Sequence, residues 1–279
     1  MRRLLICLPL CLLMAPSMPD RIAPAPPAAE PRPLVAKADR DTTPLPTAAE
    51  MEKLAKDKPV EFLEASLKHY EKNVQGYTLT MQKQERLQGK LHPKEEIEVA
   101  FRDDPHSVLL KWVKGARLAE RSLYVEGENN GKMLVRPYGS IARFAVGDVV
   151  SRDPMGDDAQ KSGRVFITDF GLKKGLLRTL NAWKAADLKG ELYVEHLGQK
   201  KVPEAGDVLC IGLRRIKFAK PEVDGITEHT IWIDKEHWLQ VGSIATGEGG
   251  KLIGEYYFRD IKLNPKFDDK QFTREALKP

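Results

Sequence analysis

A chain of 279 residues, 42% of them hydrophobic, is long enough to bury one large core or two small ones. Its 45 basic and 40 acidic residues leave a formal charge of +5. The basic residues are scattered among acids rather than gathered in a stripe, which excludes a nucleic-acid-binding protein.

The first eighteen residues read as a secretory signal peptide: basic Arg2-Arg3, apolar Leu4–Met14, then Ala15-Pro16-Ser17. The apolar run falls short of the ~20 residues a spanning helix needs. Cys7 and Cys11 follow Ile6 and Leu10, where a bacterial lipid-anchor site wants a small residue, so a lipid anchor is not expected. The expected destination is the periplasm or the medium. Without Arg2 and Arg3 the net charge falls to +3, consistent with a mixed-charge surface and a mild peripheral attraction to anionic membranes. Residues 19–46 are rich in Pro and Ala, a composition that favours extended chain and cannot form a core, so they are expected to act as a linker.

The folded domain is expected over residues 47–279. Thr47-Ala48-Ala49-Glu50 has the spacing of a helix capping box. Pro59 interrupts that helix, and a second one is expected over Val60–Val74, with Phe62, Leu63, Leu67, Tyr70 and Val74 on one face. Gly76 ends it. From Tyr77 the period changes to two. Tyr77, Leu79 and Met81 alternate with polar residues, as do Ile97, Val99 and Phe101, and Val108, Leu110 and Trp112 share a face. Leu123–Glu126 and Lys132–Arg136 flank Gly127–Gly131 as a hairpin. A further strand is expected over Ile141–Val149, then a surface loop over Ser151–Gly163. A helix over Thr168–Leu188 follows, with Phe170, Leu176, Leu177, Leu180 and Trp183 as its apolar stripe. Strands resume at Leu192–Leu197 and Val208–Lys217, where Cys210 reads as a small core residue. The chain closes with strands over Ile226–Asp234, Trp238–Ala245 and Leu252–Leu263, the last two joined by the turn Gly247–Gly250.

This order lacks βαβ alternation. It predicts an α+β fold: about eleven antiparallel strands in one strongly curved sheet, an incomplete β-barrel, with helices packed on its concave face.

Motifs for chemistry are missing. There is no nucleophile elbow, phosphate loop or His-Glu-x-x-His, so no catalytic residue and no cofactor is predicted. His229 and His237 flank one strand and are the best-placed histidine pair. Asp153, Asp157 and Asp158 offer oxygens for calcium, without the EF-hand pattern. The aromatic and methionine positions Met81, Phe101, Trp112, Met133, Trp183 and Trp232 fall on apolar faces. They either fill a core or line a ligand cavity.

Several pieces together resemble the LolA-like superfamily of periplasmic lipoprotein carriers, and more closely a related exported family of unknown function. These are Gly76-Tyr77-Thr78-Leu79-Thr80 after a helix, the helix near Thr168–Leu188, and Trp232-Ile233-Asp234. The run Glu255-Tyr256-Tyr257-Phe258-Arg259-Asp260-Ile261-Lys262-Leu263-Asn264, with Asp269 to Phe272, is the most specific. The resemblance covers roughly residues 60–272. It implies helices as a lid over an apolar cavity that receives acyl chains. The expected function is therefore non-enzymatic: binding of a lipid, an acyl chain (including that of a lipoprotein) or another hydrophobic ligand. The alternative is an envelope protein-interaction module with a solid core.

Overall fold

The computed structural model describes residues 44–217 and 225–278. The expected signal peptide, and the linker up to residue 43, lie outside the described residues.

The capping box forms as the spacing predicts. Glu50 N–H donates to Thr47 Oγ1 and Thr47 N–H to Glu50 Oε2, at 3.3 and 2.7 Å, which starts helix α1 (Ala48–Asp57). Pro59 supplies the first turn of α2 (Pro59–Asn73), where its missing N–H costs nothing. Backbone then extends at Val74 into β1 (Gly76–Leu87). A meander follows: β2 (Lys90–Leu91), β3 (Glu95–Arg102), β4 (Ser107–Lys114), β5 (Ala119–Val125) and β6 (Met133–Pro137). After the short helix α3 (Ser140–Val146) come β7 (Val150–Arg152), helix α4 (Asp157–Ser162) and helix α5 (Leu172–Asp187). A second meander ends the domain: β8 (Tyr193–Val202), β9 (Val208–Ile216), β10 (Glu228–Asp234), β11 (Gln240–Thr246) and β12 (Leu252–Leu263).

All the described strands join one twelve-stranded antiparallel sheet in the order β7-β6-β5-β4-β3-β1-β12-β11-β10-β9-β8, with β2 pairing beside it on β1. The first long strand thus pairs with the last, Met81 opposite Phe258 and Lys83 opposite Tyr256. That seam joins the two meanders. The sheet is curved and open, as the sequence predicts, with the helices on its concave face.

Two local expectations fail. Residues 141–149 are not a strand: 141–146 belong to α3, 147–149 lead out of it, and pairing resumes only at β7. Gly139 and Gly147 take φ of 88° and 102°, turning the chain at both ends of the helix. Helical spacing then divides the apolar residues: Ile141 and Phe144 turn outward, while Ala142 and the half-exposed Val146 border the cavity described below. The expected loop 151–163 contains the end of β7 and all of α4. The long helix also starts later than expected. Residues 167–169 form a single tight turn, and Gly171 at φ 135° leaves helical space before α5 begins.

Packing falls into three groups. Met51, Phe62, Leu63, Leu176, Leu180 and Trp183 of the helices pack on Ile211, Leu213, Ile231 and Ile233 of the second meander. Tyr77, Leu79, Ile97, Val99, Phe101 and Val108 build the centre of the first. On the opposite face of that meander, Ala100, Leu109, Leu123 and Leu134 are covered by Phe272 and Leu277 from the C-terminal segment.

Candidate ligand cavity

Between the sheet and its covering helices lies a cavity of about 590 Å³. Register explains its floor. Alternation brings Met81, Lys83 and Glu85 of β1 to the concave face, opposite Phe258, Tyr256 and Gly254 of β12. Leu110 and Trp112 of β4, Met133 and Val135 of β6, and Ser243 and Ala245 of β11 extend the floor to both sides. Gly175, Arg178, Thr179 and Ala182 of α5 form one wall. Residues 158–159 and 162–167 form a second, and Ala142 and Val146 of α3 a third. The N-terminus of α5 is held down by the Leu172 N–H, which donates to Tyr77 Oη at 2.9 Å.

A charged network is set into this apolar bowl. Lys83 Nζ donates to Glu85 Oε2 at 2.7 Å and stands 3.6 Å from Glu95 Oε2. Glu85 also accepts from Tyr256 Oη at 2.5 Å and from the Arg164 N–H at 3.0 Å. Glu95 accepts from Trp112 Nε1 at 2.6 Å and Arg117 Nε at 3.0 Å. Lys83 and Arg117 both donate to the Ser162 carbonyl, at 3.2 and 3.3 Å, tying the end of α4 to the sheet. Burial pushes the Glu85 pKa up, but the Lys83 ammonium and the donors from Tyr256 and Arg164 outweigh it, and the carboxyl ends below its usual range. Burial, then the Glu85 charge, drives the Tyr256 phenol well above its usual range. Arg178 is open to the cavity, yet enclosed enough that burial lowers its pKa. Its guanidinium donates to the Asp169 carbonyl at 2.8 Å.

Of the six positions singled out by sequence, Met81, Trp112 and Met133 lie together on the cavity wall. The other three do not. Phe101 lies beneath, stacked on Tyr77 at 4.7 Å, with Gly171 seated so close that an added Cβ would meet its ring at 2.9 Å. Trp183 does not line the cavity and is fully buried in the helical core. Trp232 sits between Ile231 and Ile233, which face the helices, so alternation turns it to the other face of the sheet. There it lies between Gly212 and Gly242 with Lys200 Nζ 4.2 Å above its ring.

The histidine pair is not brought together. His229 stands at one end of β10 and bonds Ser243 Oγ at 2.8 Å, while His237 lies in the turn beyond the other end. Asp153 accepts from the Met155 N–H of its own turn, and Asp158 pairs with Arg152 at 3.0 Å. Among the described residues no three His, Cys, Asp or Glu side chains gather to hold a metal ion. Sequence reasoning missed Lys83, Glu85, Arg178 and Tyr256. The signal for the first two was present: the buried-face period Tyr77-Leu79-Met81 runs on through Lys83 and Glu85 to Leu87.

Fold and cavity together define the class: an open, curved antiparallel sheet with helices over a cavity. Within that class the chain belongs to the DUF1571 family, described as a protein of unknown function, which it matches over residues 74–277. No curated protein matches it. Among solved structures it is similar to the MucA/MucB complex of Pseudomonas aeruginosa, at 12% identity and TM-score 0.45, covering 78% of this chain and 62% of that one. The chain thus spans less than two thirds of that relative. It is also similar to the lipoprotein LppX of Mycobacterium tuberculosis, at 10% identity and TM-score 0.42, covering 76% and 100%. A LolA superfamily protein of Nitrosomonas europaea is similar at 9% identity and TM-score 0.34, covering 77% and 98%.

Proposed function

We propose that this is an exported, non-enzymatic protein that holds a lipid, an acyl chain or another hydrophobic ligand between its curved sheet and its covering helices. The observation that carries the reading is the cavity of about 590 Å³ walled by Met81, Leu110, Trp112, Met133, Phe166 and Phe258. That volume sits within the ~300–1,000 Å³ of small-molecule sites, which are mostly apolar with a few placed polar groups. Burial of each ligand methylene would contribute ~0.8 kcal/mol, and the two methionines adapt to an uneven chain. The domain would begin at residue 47, after a linker that sets it apart from the export signal.

The test is native mass spectrometry of the full chain, exported and purified without detergent. A stoichiometric apolar adduct is expected. The variant Gly175→Phe should lack it, because an added side chain at Gly175 enters the cavity and meets only Arg178 Nη2, at 3.8 Å from the new Cβ. A clean mass, with no uptake of added amphiphile by the wild-type chain, would overturn the reading. A second reading, docking of an envelope protein partner, is favoured by one observation: Ile141 and Phe144 on α3 are 85% and 95% exposed. Loss of partner capture in an Ile141→Ser, Phe144→Ser variant that still binds lipid would support it as an additional role.

A further inference from the structure

Among the described residues, Lys83, Arg152 and Arg178 line the cavity together with two carboxylates, Glu85 and Asp158. Both carboxylates are already engaged, Glu85 by Lys83 at 2.7 Å and Asp158 by Arg152 at 3.0 Å. Arg178 differs from these pairs. It projects from α5 with its side chain open to the cavity, and its hydrogen bond goes to a neutral acceptor, the Asp169 carbonyl. Among the described residues it forms no ion pair with a carboxylate. On the cavity wall no carboxylate compensates its charge. An uncharged ligand filling the cavity would strip it of more water, and a cationic one would add repulsion. A ligand with an apolar tail and an anionic head relieves both costs.

We propose that the ligand is an anionic amphiphile. Its carboxylate or phosphate head pairs with the Arg178 guanidinium, and its tail lies along the wall that holds Met81, Trp112 and Met133. The inference rests on the reading of the cavity as an apolar-ligand site. The planar guanidinium fork suits a two-oxygen head better than a point charge would.

The test uses the full chain, stripped of lipid, and three probes of equal tail length: dodecanoate, dodecyl phosphate and 1-dodecanol. Affinity is read by calorimetry or by quenching of tryptophan fluorescence. At least one anion is expected to bind ~10-fold or more tighter than the alcohol, as a charge-assisted pair requires. Whichever anion leads tells whether the natural head is a carboxylate or a phosphate. Arg178→Gln should bring the anions down to the level of the alcohol and leave the alcohol unchanged, with thermal unfolding as the check on folding. Arg178→Lys, which keeps the charge but not the fork, should fall between. Equal binding of all three by the wild-type chain, or an anion preference that survives in Arg178→Gln, overturns the proposal while leaving the cavity reading in place. Failure of all three probes to bind overturns the cavity reading itself.

Discussion

Replacing Lys83 with methionine tests whether the charged network under the cavity behaves as a buried one. The Lys83, Glu85 and Glu95 side chains are 10%, 3% and 5% exposed, and the ammonium lies 2.7 and 3.6 Å from the two carboxylates. At an effective dielectric of ~20 the gross attractions are ~6 and ~5 kcal/mol. They are offset by desolvation, so the intact network contributes little net stability. Removing the ammonium changes that balance, because the carboxylates stay buried without it. Such a loss costs ~3–5 kcal/mol. The lower end applies here, since Glu85 keeps the donors from Tyr256 and Arg164 and Glu95 keeps those from Trp112 and Arg117. At a slope of ~2–3 kcal/mol per molar urea, ~3 kcal/mol lowers the unfolding midpoint by ~1–1.5 M. The sign with pH follows from Glu85, whose folded pKa lies below the ordinary 4.5. In the wild type its contribution is complete above the unfolded pKa and is lost as pH falls through the folded one. In Lys83→Met, burial goes unopposed by the ammonium and the folded pKa rises. The deficit should therefore shrink at pH 4, where Glu85 can take up a proton, relative to pH 7. Urea titrations at both pH values, read by tryptophan fluorescence, decide it. A deficit under ~1 kcal/mol at pH 7, or one equal at both pH values, would refute the reasoning.

Three further outcomes are expected. Gly242→Ala should cost ~1–3 kcal/mol, because a Cβ there meets Trp232 Cδ1 at 2.8 Å and Tyr257 Cε1 at 3.1 Å in a closely packed slot; thermal unfolding within error of wild type would show the slot to be slack. Cys210 is fully buried and its thiol pKa is pushed up to about 12, by burial first and then by Asp234. Iodoacetamide at pH 8 should therefore label it only in denaturant, and mass spectra of the folded and unfolded chain check this. The Ile141→Ser, Phe144→Ser variant should keep its unfolding free energy within ~0.5 kcal/mol, since neither side chain gains burial on folding; a larger loss by urea titration would mean that α3 packs against something.

Much of the scaffold was legible because its periods are clean. The span of β12 follows from Gly247–Gly250 before it and Asn264-Pro265 after it. The capping box at Thr47 and the breaks at Pro59 and Gly127–Gly131 are equally local signals. Residues 141–149 were misread because Ile141, Phe144 and Val146 are nearly as compatible with alternation as with a short helix. What decides is the pair of glycines at positive φ, together with Arg143, which bonds Glu120 and the Pro137 carbonyl. Glu120 is 23 residues away, beyond any local pattern. The cavity was half legible. Residue type could mark Met81, Trp112 and Met133 as apolar, but not separate wall from core, which depends on how far the helices stand off the sheet. For Trp232 the separation was within reach, since flanking isoleucines already assign it to the opposite face.

The sheet also has two ends, and an open barrel leaves both unpaired where a closed one leaves none. Edges of this kind are templates for adding a strand from another molecule. Here each end is blunted. The β7 edge is three residues long, too short to seat a strand. The β8 edge is longer, but its pairing register breaks between His196 and Gln199, with Gly198 at φ 76°. Beyond the break it presents Lys200 and Lys201, charges that an incoming strand would have to bury. The open sheet is thereby guarded against polymerising along its own edges.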